Sequence, residues 1–354
     1  MKALFFIILF TAIAATAWQI VKLLGLTKNN QIVTKKENNI NGWLMLGTMI
    51  FLYTLMIYYM FFGGRDVLLP RQAGSLEGEH IDNLFKMTLG LILVVQFVTQ
   101  FLVYYFTFKY RGNVDKKATF FADSHKLELF WTITPTVVLS ALIIYGLWTW
   151  SLVQDVTNKK DNPIYIELYA KQFQWEARYA GKDNVLGEAN VRNIKGMNTM
   201  GVDMNDPYAK DDITVLHEFH LPKGRKVVFQ MRSQDVLHSA YMPHFRAQMN
   251  CVPGSKTYMA YTPALTTEEM RKNPDIIRKV NGINKIRAEK SKELVAKGED
   301  PLEPYEFDYL LLCNKICGAG HYNMQMKIVV EDEADFNKWL ASKKTLAEKL
   351  NQNQ

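Results

Sequence analysis

The sequence predicts an α+β membrane protein, with transmembrane helices in its N-terminal part and a small β-sandwich or barrel after them. Two observations carry this. Four nearly charge-free runs, each roughly the 20 residues that cross a bilayer as a helix, crowd the first 153 residues. From about residue 163 the pattern changes to short runs of β-branched and aromatic residues bounded by Gly, Pro, Asn and Asp, the signature of strands and turns. Composition alone, 48% hydrophobic and 22% charged, permits either a buried core or membrane spans. The order of the residues decides between them.

The four apolar runs lie near 3–24, 42–63, 87–108 and 129–153. Buried soluble helices are the alternative reading, but four such runs in succession fit a membrane better. Lys28, Lys35 and Lys36 follow the first run, and Lys109, Arg111, Lys116, Lys117 and Lys126 separate the third from the fourth. The positive-inside rule puts both segments on the cytoplasmic side. The 64–86 loop balances Arg65, Arg71 and Lys86 with Asp66, Glu77, Glu79 and Asp82, and so belongs on the other face. The N-terminus and the C-terminal domain then both lie outside. Tyr58, Tyr59, Trp148 and Trp150, at span ends, suit interfacial anchoring. The first run has a second reading, because Lys2, an apolar stretch and Ala15-Thr16-Ala17 resemble the three regions of a signal peptide. It is taken here as a span.

The expected organisation is therefore a first span (or signal peptide) and cytoplasmic loop at 1–41, a second span and outer loop at 42–86, a helical hairpin at 87–158, a β-domain at 159–331 and a helical tail at 332–354. Within the β-domain, PIYIELYA at 163–170, DITVLHEFHLP at 212–222, GRKVVFQMRS at 224–233 and MKIVVE at 326–331 read as strands. Residues 182–211, rich in Gly, Asn and Asp, read as a long loop. The stretch 266–300 opens with Thr266 and Thr267 before acidic residues and reads as a helical insertion between two strands. The net charge of +7 lies in the cytoplasmic loops and along 271–297, where acids are interleaved. That is a solvated face, without the basic block and aromatic platforms of a nucleic-acid binder.

The chemistry concentrates in C-N-K-I-C-G-A-G-H-Y-N-M, Cys313 to Met324. A disulfide between Cys313 and Cys317 is one reading outside the cytoplasm. Covalent haem attachment would need C-x-x-C-H, which is not present there. A zinc site is a further reading, since two Cys, the following His321 and a distant His supply four ligands. Yet Cys313, Cys317, His321 and Met324, with His238 from D-V-L-H-S, are more soft donors than one tetrahedral ion needs. Thiolate together with thioether points to copper. Two thiolates one loop apart can bridge a pair of copper ions, with two imidazoles and a thioether completing the shell. His217 and His220, three apart in an expected strand, would face opposite ways and do not suit a shared metal. His80, His125 and His244 belong to no motif, and Cys251 reads as a small buried apolar residue.

The spacing and flanks resemble the binuclear copper motif of cytochrome oxidase subunit II. S-Q-D-V-L-H-S-A-Y-M-P at 233–243 looks like the family segment that supplies the first His, and N-C-V-P-G at 250–254 like the turn after it. L-E-L-F-W-T-I-T-P at 127–135 is similar to the start of the family's second membrane helix. The matching regions run from about 87 to 330. The resemblance implies a cupredoxin-like β-domain carrying a two-copper (copper A) centre. Cys313 and Cys317 would be the bridging thiolates, His238 and His321 the imidazole ligands, Met324 the thioether and the Lys315 backbone carbonyl the remaining ligand. It implies electron acceptance from a cytochrome c, delivery to haem in subunit I, and reduction of oxygen there with proton pumping. The implied location is the cytoplasmic membrane of a bacterium, with the copper domain on the periplasmic side and subunits I and III as partners.

Three departures qualify the resemblance. Position 315 is usually Glu, whose side chain also holds a magnesium ion against subunit I. Lys315 has no oxygen to offer, so the magnesium contact does not carry over. The family usually presents a Trp where K-Q-F-Q-W-E places Phe173, and Trp175 matches a second aromatic. Both are candidates for electron acceptance, against the commoner reading of strand aromatics as core. Glu128 matches a Glu at the mouth of a proton path into subunit I, against the alternative of an interfacial charge. Finally, the family commonly has two membrane helices, matched by the third and fourth runs. The two extra runs would pack against the oxidase or a neighbouring quinol:cytochrome c oxidoreductase. Two rivals remain: a copper-free quinol oxidase subunit, and a membrane-anchored zinc module.

Overall fold

A computed structural model describes residues 2–28, 34–64, 68–113, 115–157 and 162–351. Arg65 and Asp66 of the outer loop and the expected boundary at 158–159 lie outside them. Four helices come first: α1 (Lys2–Lys28), α2 (Lys35–Tyr58), α3 (Leu76–Lys109) and α4 (His125–Val153). Among the described residues three helices are long and apolar enough to cross a membrane, Lys35–Gly63, Leu76–Lys109 and His125–Val153. The first of these includes one π-helical turn, Tyr59–Gly63, after α2. In α1 the described apolar stretch, Leu9–Lys22, is shorter, and the side chains that begin the expected first span lie outside the described ones. The chain divides into two compact units, Met1–Gly63 with Gly90–Leu129, and Gly64–Leu89 with Phe130–Gln354.

In the first unit the extra helix α2 packs on α3. Thr34 and Glu37 form a capping box that closes its first turn. Gly42 lets the backbones approach: a Cβ there would meet Arg111 Cδ at 3.0 Å and the Phe108 ring at 3.1 Å. Arg111 Nε donates to Asn39 Oδ1 at 2.7 Å, and further along Tyr53 Oη donates to the Phe97 carbonyl at 3.1 Å. Small residues at the contact and polar bonds across it are what hold helices together in lipid.

The second unit is built on ten strands: β1 (Ile164–Lys171), β2 (Gln174–Tyr179), β3 (Ile213–Leu216), β4 (Glu218–Pro222), β5 (Val227–Ser233), β6 (His238–Met242), β7 (Ala247–Cys251), β8 (Thr257–Tyr261), β9 (Tyr309–Cys313) and β10 (Gln325–Glu331). They make two five-stranded sheets, ordered β3-β2-β1-β5-β8 and β4-β10-β9-β6-β7. The β1/β5 and β4/β10 pairs are parallel and the rest antiparallel. Ile166, Leu168, Phe219, Phe229, Met231, Tyr309, Leu311 and Ile328 are buried in one shared core cluster. This is the cupredoxin-like sandwich that the resemblance implied.

Several expected elements are subdivided. The 212–222 run is two strands in different sheets, because His217 takes a left-handed φ of 70° and turns the chain from one sheet to the other. His217 and His220 are therefore not on one straight strand. His220 stacks on Trp339 at 3.9 Å and binds Glu331 Oε1 through Nδ1 at 2.7 Å, which pins α7 (Glu333–Ala341) to β4 and β10. Between β8 and β9 lie two helices, α5 (Thr267–Arg271) and α6 (Pro274–Ala296), with Asn273 capping the second. The tail likewise breaks after α7 before α8 (Leu346–Asn351).

The segment before α3 is woven into the sandwich, which the sequence did not signal. Gly74 N–H donates to the His244 carbonyl at 2.7 Å and Leu76 N–H to the Thr262 carbonyl at 3.0 Å. Glu77 accepts from Thr262 N–H at 2.7 Å and Thr262 Oγ1 at 3.0 Å, while Arg246 grips Asp82 through two bonds of 2.9 and 3.0 Å. The outer end of α3 is thus fastened to the domain by charge-assisted bonds.

His244 lies in this joint against the rings of Phe307 and Tyr309, and its Nδ1 has no partner among the described residues. Burial, with Arg246 and Lys279 nearby, lowers its pKa to about 4. The unfolded chain, with an ordinary His near 6.5, then takes up the proton first as pH falls. Stability should be full above about pH 6.5 and drop by up to about 3 kcal/mol toward pH 4. Unfolding midpoints of the detergent-solubilised protein across that window should fall for wild type and flatten for His244→Phe. Equal slopes would discount this residue.

Candidate metal centre

The loop between β9 and β10 carries four of the expected donors and β6 the fifth. Strand pairing brings them together: Ala240 of β6 is in register with Cys313 of β9, so His238 reaches the loop from the adjacent strand. The loop is closed by Cys313 N–H to the Met324 carbonyl at 3.1 Å and Asn314 N–H to the Ser239 carbonyl at 3.1 Å. The 3-10 turn His321–Asn323 then returns the chain to β10.

All five side chains converge. Cys313 Sγ lies 3.9 Å from Cys317 Sγ and 3.8 Å from His238 Nδ1. Cys317 Sγ lies 3.7 Å from His321 Nδ1 and 3.8 Å from Met324 Sδ. The Lys315 carbonyl oxygen is 3.2 Å from Cys313 Sγ, whereas the Lys315 side chain is exposed. His238, Cys317 and Met324 are buried. Both cysteines are free thiols, so the disulfide reading is not the arrangement found. Burial and the neighbouring Cys313 push the Cys317 thiol up to about 11, so a cation is needed to hold that sulphur as a thiolate near neutral pH. Two thiols, two imidazole nitrogens, a thioether and a carbonyl around one small volume fit soft metal ions, and exceed one tetrahedral zinc shell.

Asp235 organises the first imidazole and was not singled out from sequence. Its Oδ1 accepts from His238 Nε2 at 2.8 Å and from Val236 N–H at 2.7 Å, and its Oδ2 from Gln172 N–H at 2.7 Å. Partial burial opposes its ionisation, but these bonds hold the carboxyl below the usual carboxylate range. With Nε2 tied to the carboxylate, Nδ1 is left toward the sulphurs. The available signal was D-x-x-H in D-V-L-H, which a turn followed by a strand folds back on itself. Asp235→Ala should weaken metal affinity by about 10- to 100-fold while the fold is retained. Metal retained by the intact complex under graded chelation would measure this, and unaltered retention would deny Asp235 the role.

The aromatic candidates separate. Trp175 is fully buried: its Nε1 donates to the Met324 carbonyl at 3.4 Å and its ring meets His238 edge-on at 6.3 Å. Phe173 is 40% exposed and lies over the loop glycines. A Cβ on Gly318 or Gly320 would come within 2.9 or 2.6 Å of its ring, and Gly318 also has a φ of 142°. Gln172 supports the same loop, its side-chain amide donating to the Cys317 carbonyl. Cys251 is buried in the core, in register with His238 on β7. Glu128 stands in the first turn of α4, half exposed, with His125 Nδ1 3.6 Å from its Oε2.

The family model for the transmembrane domain of cytochrome c oxidase subunit II matches residues 67–148. An alternative cytochrome c oxidase subunit 2 of Bradyrhizobium diazoefficiens is 31% identical over 269 residues, covering 76% of this chain and 82% of that protein. The chain belongs to the cytochrome c oxidase subunit II family. A cytochrome c oxidase subunit 2 of Synechocystis is 22% identical over 314 residues, 83% of this chain and 81% of that one. Among solved structures, the periplasmic domain of subunit II of cytochrome oxidase of Bradyrhizobium japonicum aligns with a TM-score of 0.30 at 18% identity, over 52% of this chain and 94% of that one. The family match falls on α3 and α4, so α1 and α2 are additions to the matched region.

Proposed function

We propose that this subunit II is the electron-accepting subunit of a haem–copper oxidase. It takes electrons from a cytochrome c on the periplasmic side of a bacterial cytoplasmic membrane and delivers them to haem in subunit I, where oxygen is reduced and protons are pumped. The observation that carries the reading is the convergence of His238, Cys313, Cys317, His321, Met324 and the Lys315 carbonyl. A copper pair bound there would supply a one-electron relay. The chain's own part is to hold the donors still, through Asp235 on His238, Gln172 on the Cys317 carbonyl and Trp175 on the Met324 carbonyl. Buried, pre-positioned ligands limit rearrangement when charge changes at the site. Phe173 covers the loop from the solvent side and Trp175 from the core. Metal analysis and electron paramagnetic resonance of the intact complex test the reading. Two coppers sharing one unpaired electron are expected, whereas zinc or an isolated copper would overturn it.

Glu128 is the proposed proton-uptake residue, on the strength of its place in the first turn of α4 within the family match. Glu128→Gln keeps size and hydrogen bonding but removes the titrating group. Oxygen consumption should slow with copper content unchanged, and unaltered turnover across pH would reduce Glu128 to an interfacial charge. For Lys315, the backbone carbonyl supports the site whatever the side chain, and the ammonium cannot ligate magnesium. The proposed role of the ammonium is to pair with a carboxylate of subunit I or a haem propionate. Lys315→Ala should keep copper and slow onward electron transfer. Loss of copper in that variant would place the side chain in support of the site itself.

A further inference from the structure

The cation-rich end of the first unit carries a feature that electron transfer does not use. Lys22 pairs with Glu37, Lys35 with Asp115 and Arg111 with Asn39, which gathers the start of α2, Lys22 of α1 and the end of α3 at one end of the helices. A groove of about 730 Å³ opens on α2 there, lined by Lys35, Lys36, Asn39, Ile40, Trp43 and Leu44. Its two ends differ chemically. Lys36 is exposed and has no ion pair among the described residues. Asn39 Oδ1 accepts from Arg111 Nε, and its amide nitrogen has no acceptor among the described residues. One turn on, Ile40, Trp43 and Leu44 are 45%, 65% and 54% exposed and continue the same face at helical spacing. Trp43 is fixed from behind by the Phe108 edge at 4.9 Å, and Gly47, one turn further along α2, faces open space.

We propose that this groove binds one anionic phospholipid, its phosphate held by Lys36 and Asn39 and its acyl chain laid along Ile40, Trp43 and Leu44. Charge complementarity argues for the anionic headgroup, because paired cations already surround the site and Lys36 is left over. The polarity sequence argues for a lipid rather than a free anion: cation and amide lie at the helix start, and the exposed apolar side chains of Ile40, Trp43 and Leu44 continue the same face from there, the order of a headgroup followed by interface and acyl chain. On this view the extra helix both packs on α3 and fixes a lipid beside it.

The test uses the intact oxidase complex in liposomes of mixed phosphatidylcholine and phosphatidylglycerol, with spin-labelled analogues of each lipid to count chains held at the protein. Wild type should hold phosphatidylglycerol at one site with about a fivefold preference over phosphatidylcholine, the ratio expected of one surface lysine at roughly 1 kcal/mol. Lys36→Gln with Trp43→Ala should lose one held phosphatidylglycerol per complex, with haem and copper content unchanged as the check on assembly. An unchanged count in that variant would mean that another subunit or bulk lipid fills the groove, and would overturn the proposal. Equal retention of both lipids by wild type would overturn it too, without needing any variant.

Discussion

Replacing Cys317 by Ser should remove the proposed two-copper signature altogether and bring oxygen consumption by the complex to background. Cys317 Sγ lies within 4 Å of three other donors: Cys313 Sγ at 3.9 Å, His321 Nδ1 at 3.7 Å and Met324 Sδ at 3.8 Å. A serine hydroxyl is shorter and harder and remains protonated at neutral pH, so it cannot join two soft ions. The remaining Cys313, His238 and Lys315 carbonyl can still hold one ion. An isolated copper signal, or none, is therefore the expected spectrum. Haem content should be unaltered. Met324→Leu is the useful companion: it deletes one donor of five in a buried position and leaves both sulphur bridges, so copper should be held but bound more weakly. A mixed-valence spectrum surviving in Cys317→Ser would refute the assignment of the bridging sulphurs.

The largest stability effect should come from Glu167→Ala, in a buried charge cluster behind the metal loops. Glu167 on β1 meets Arg178 of β2, its Oε2 accepting from Nε at 2.6 Å, and Arg232 of β5 on its other oxygen. Arg178 also binds Asp212 at 2.6 Å and the Gly187 carbonyl at 2.9 Å, and Arg232 the Met200 carbonyl at 3.0 Å. Glu167, Arg178 and Asp212 are fully buried. Burial opposes ionisation of Glu167, but the two guanidinium groups hold its carboxyl below the ordinary range. Truncating it leaves two cations facing each other without water, a change worth about 3–5 kcal/mol when one partner of a buried pair is removed. For a domain of this size that corresponds to a fall of roughly 6–20 °C in the unfolding midpoint.

The same cluster bears on the metal centre through the strands it joins. Beyond β1 come Gln172 and Phe173, and beyond β5 comes Asp235, with Gln234 N–H donating to the Ala170 carbonyl at 2.9 Å between them. Glu167→Ala should therefore also speed copper loss to chelators at temperatures well below unfolding. Glu167→Gln, which keeps a hydrogen-bond acceptor, should cost less. A midpoint within a degree or two of wild type for Glu167→Ala would mean that water enters and solvates the arginines.

What the sequence by itself determined is what short-range pattern encodes. Apolar length marked the membrane helices, runs of β-branched and aromatic residues between turn residues marked β1, β5 and β10, and the soft donors from Cys313 to Met324 with His238 marked the candidate centre. Thr266 before its acids marked a helix start that forms as a capping box. The tertiary structure alone decided the rest, where the partners are far apart in the chain. Gln172 supports Cys317 across 145 positions and Arg246 grips Asp82 across 164, and no local period announces either. His217 looked like the middle of one strand because a left-handed φ leaves no mark in apolar alternation. At Gly318 and Gly320 the nearness of the Phe173 ring is what excludes a side chain. Donor identity is thus local information, whereas holding the donors in place depends on contacts that exist only once the two sheets have packed.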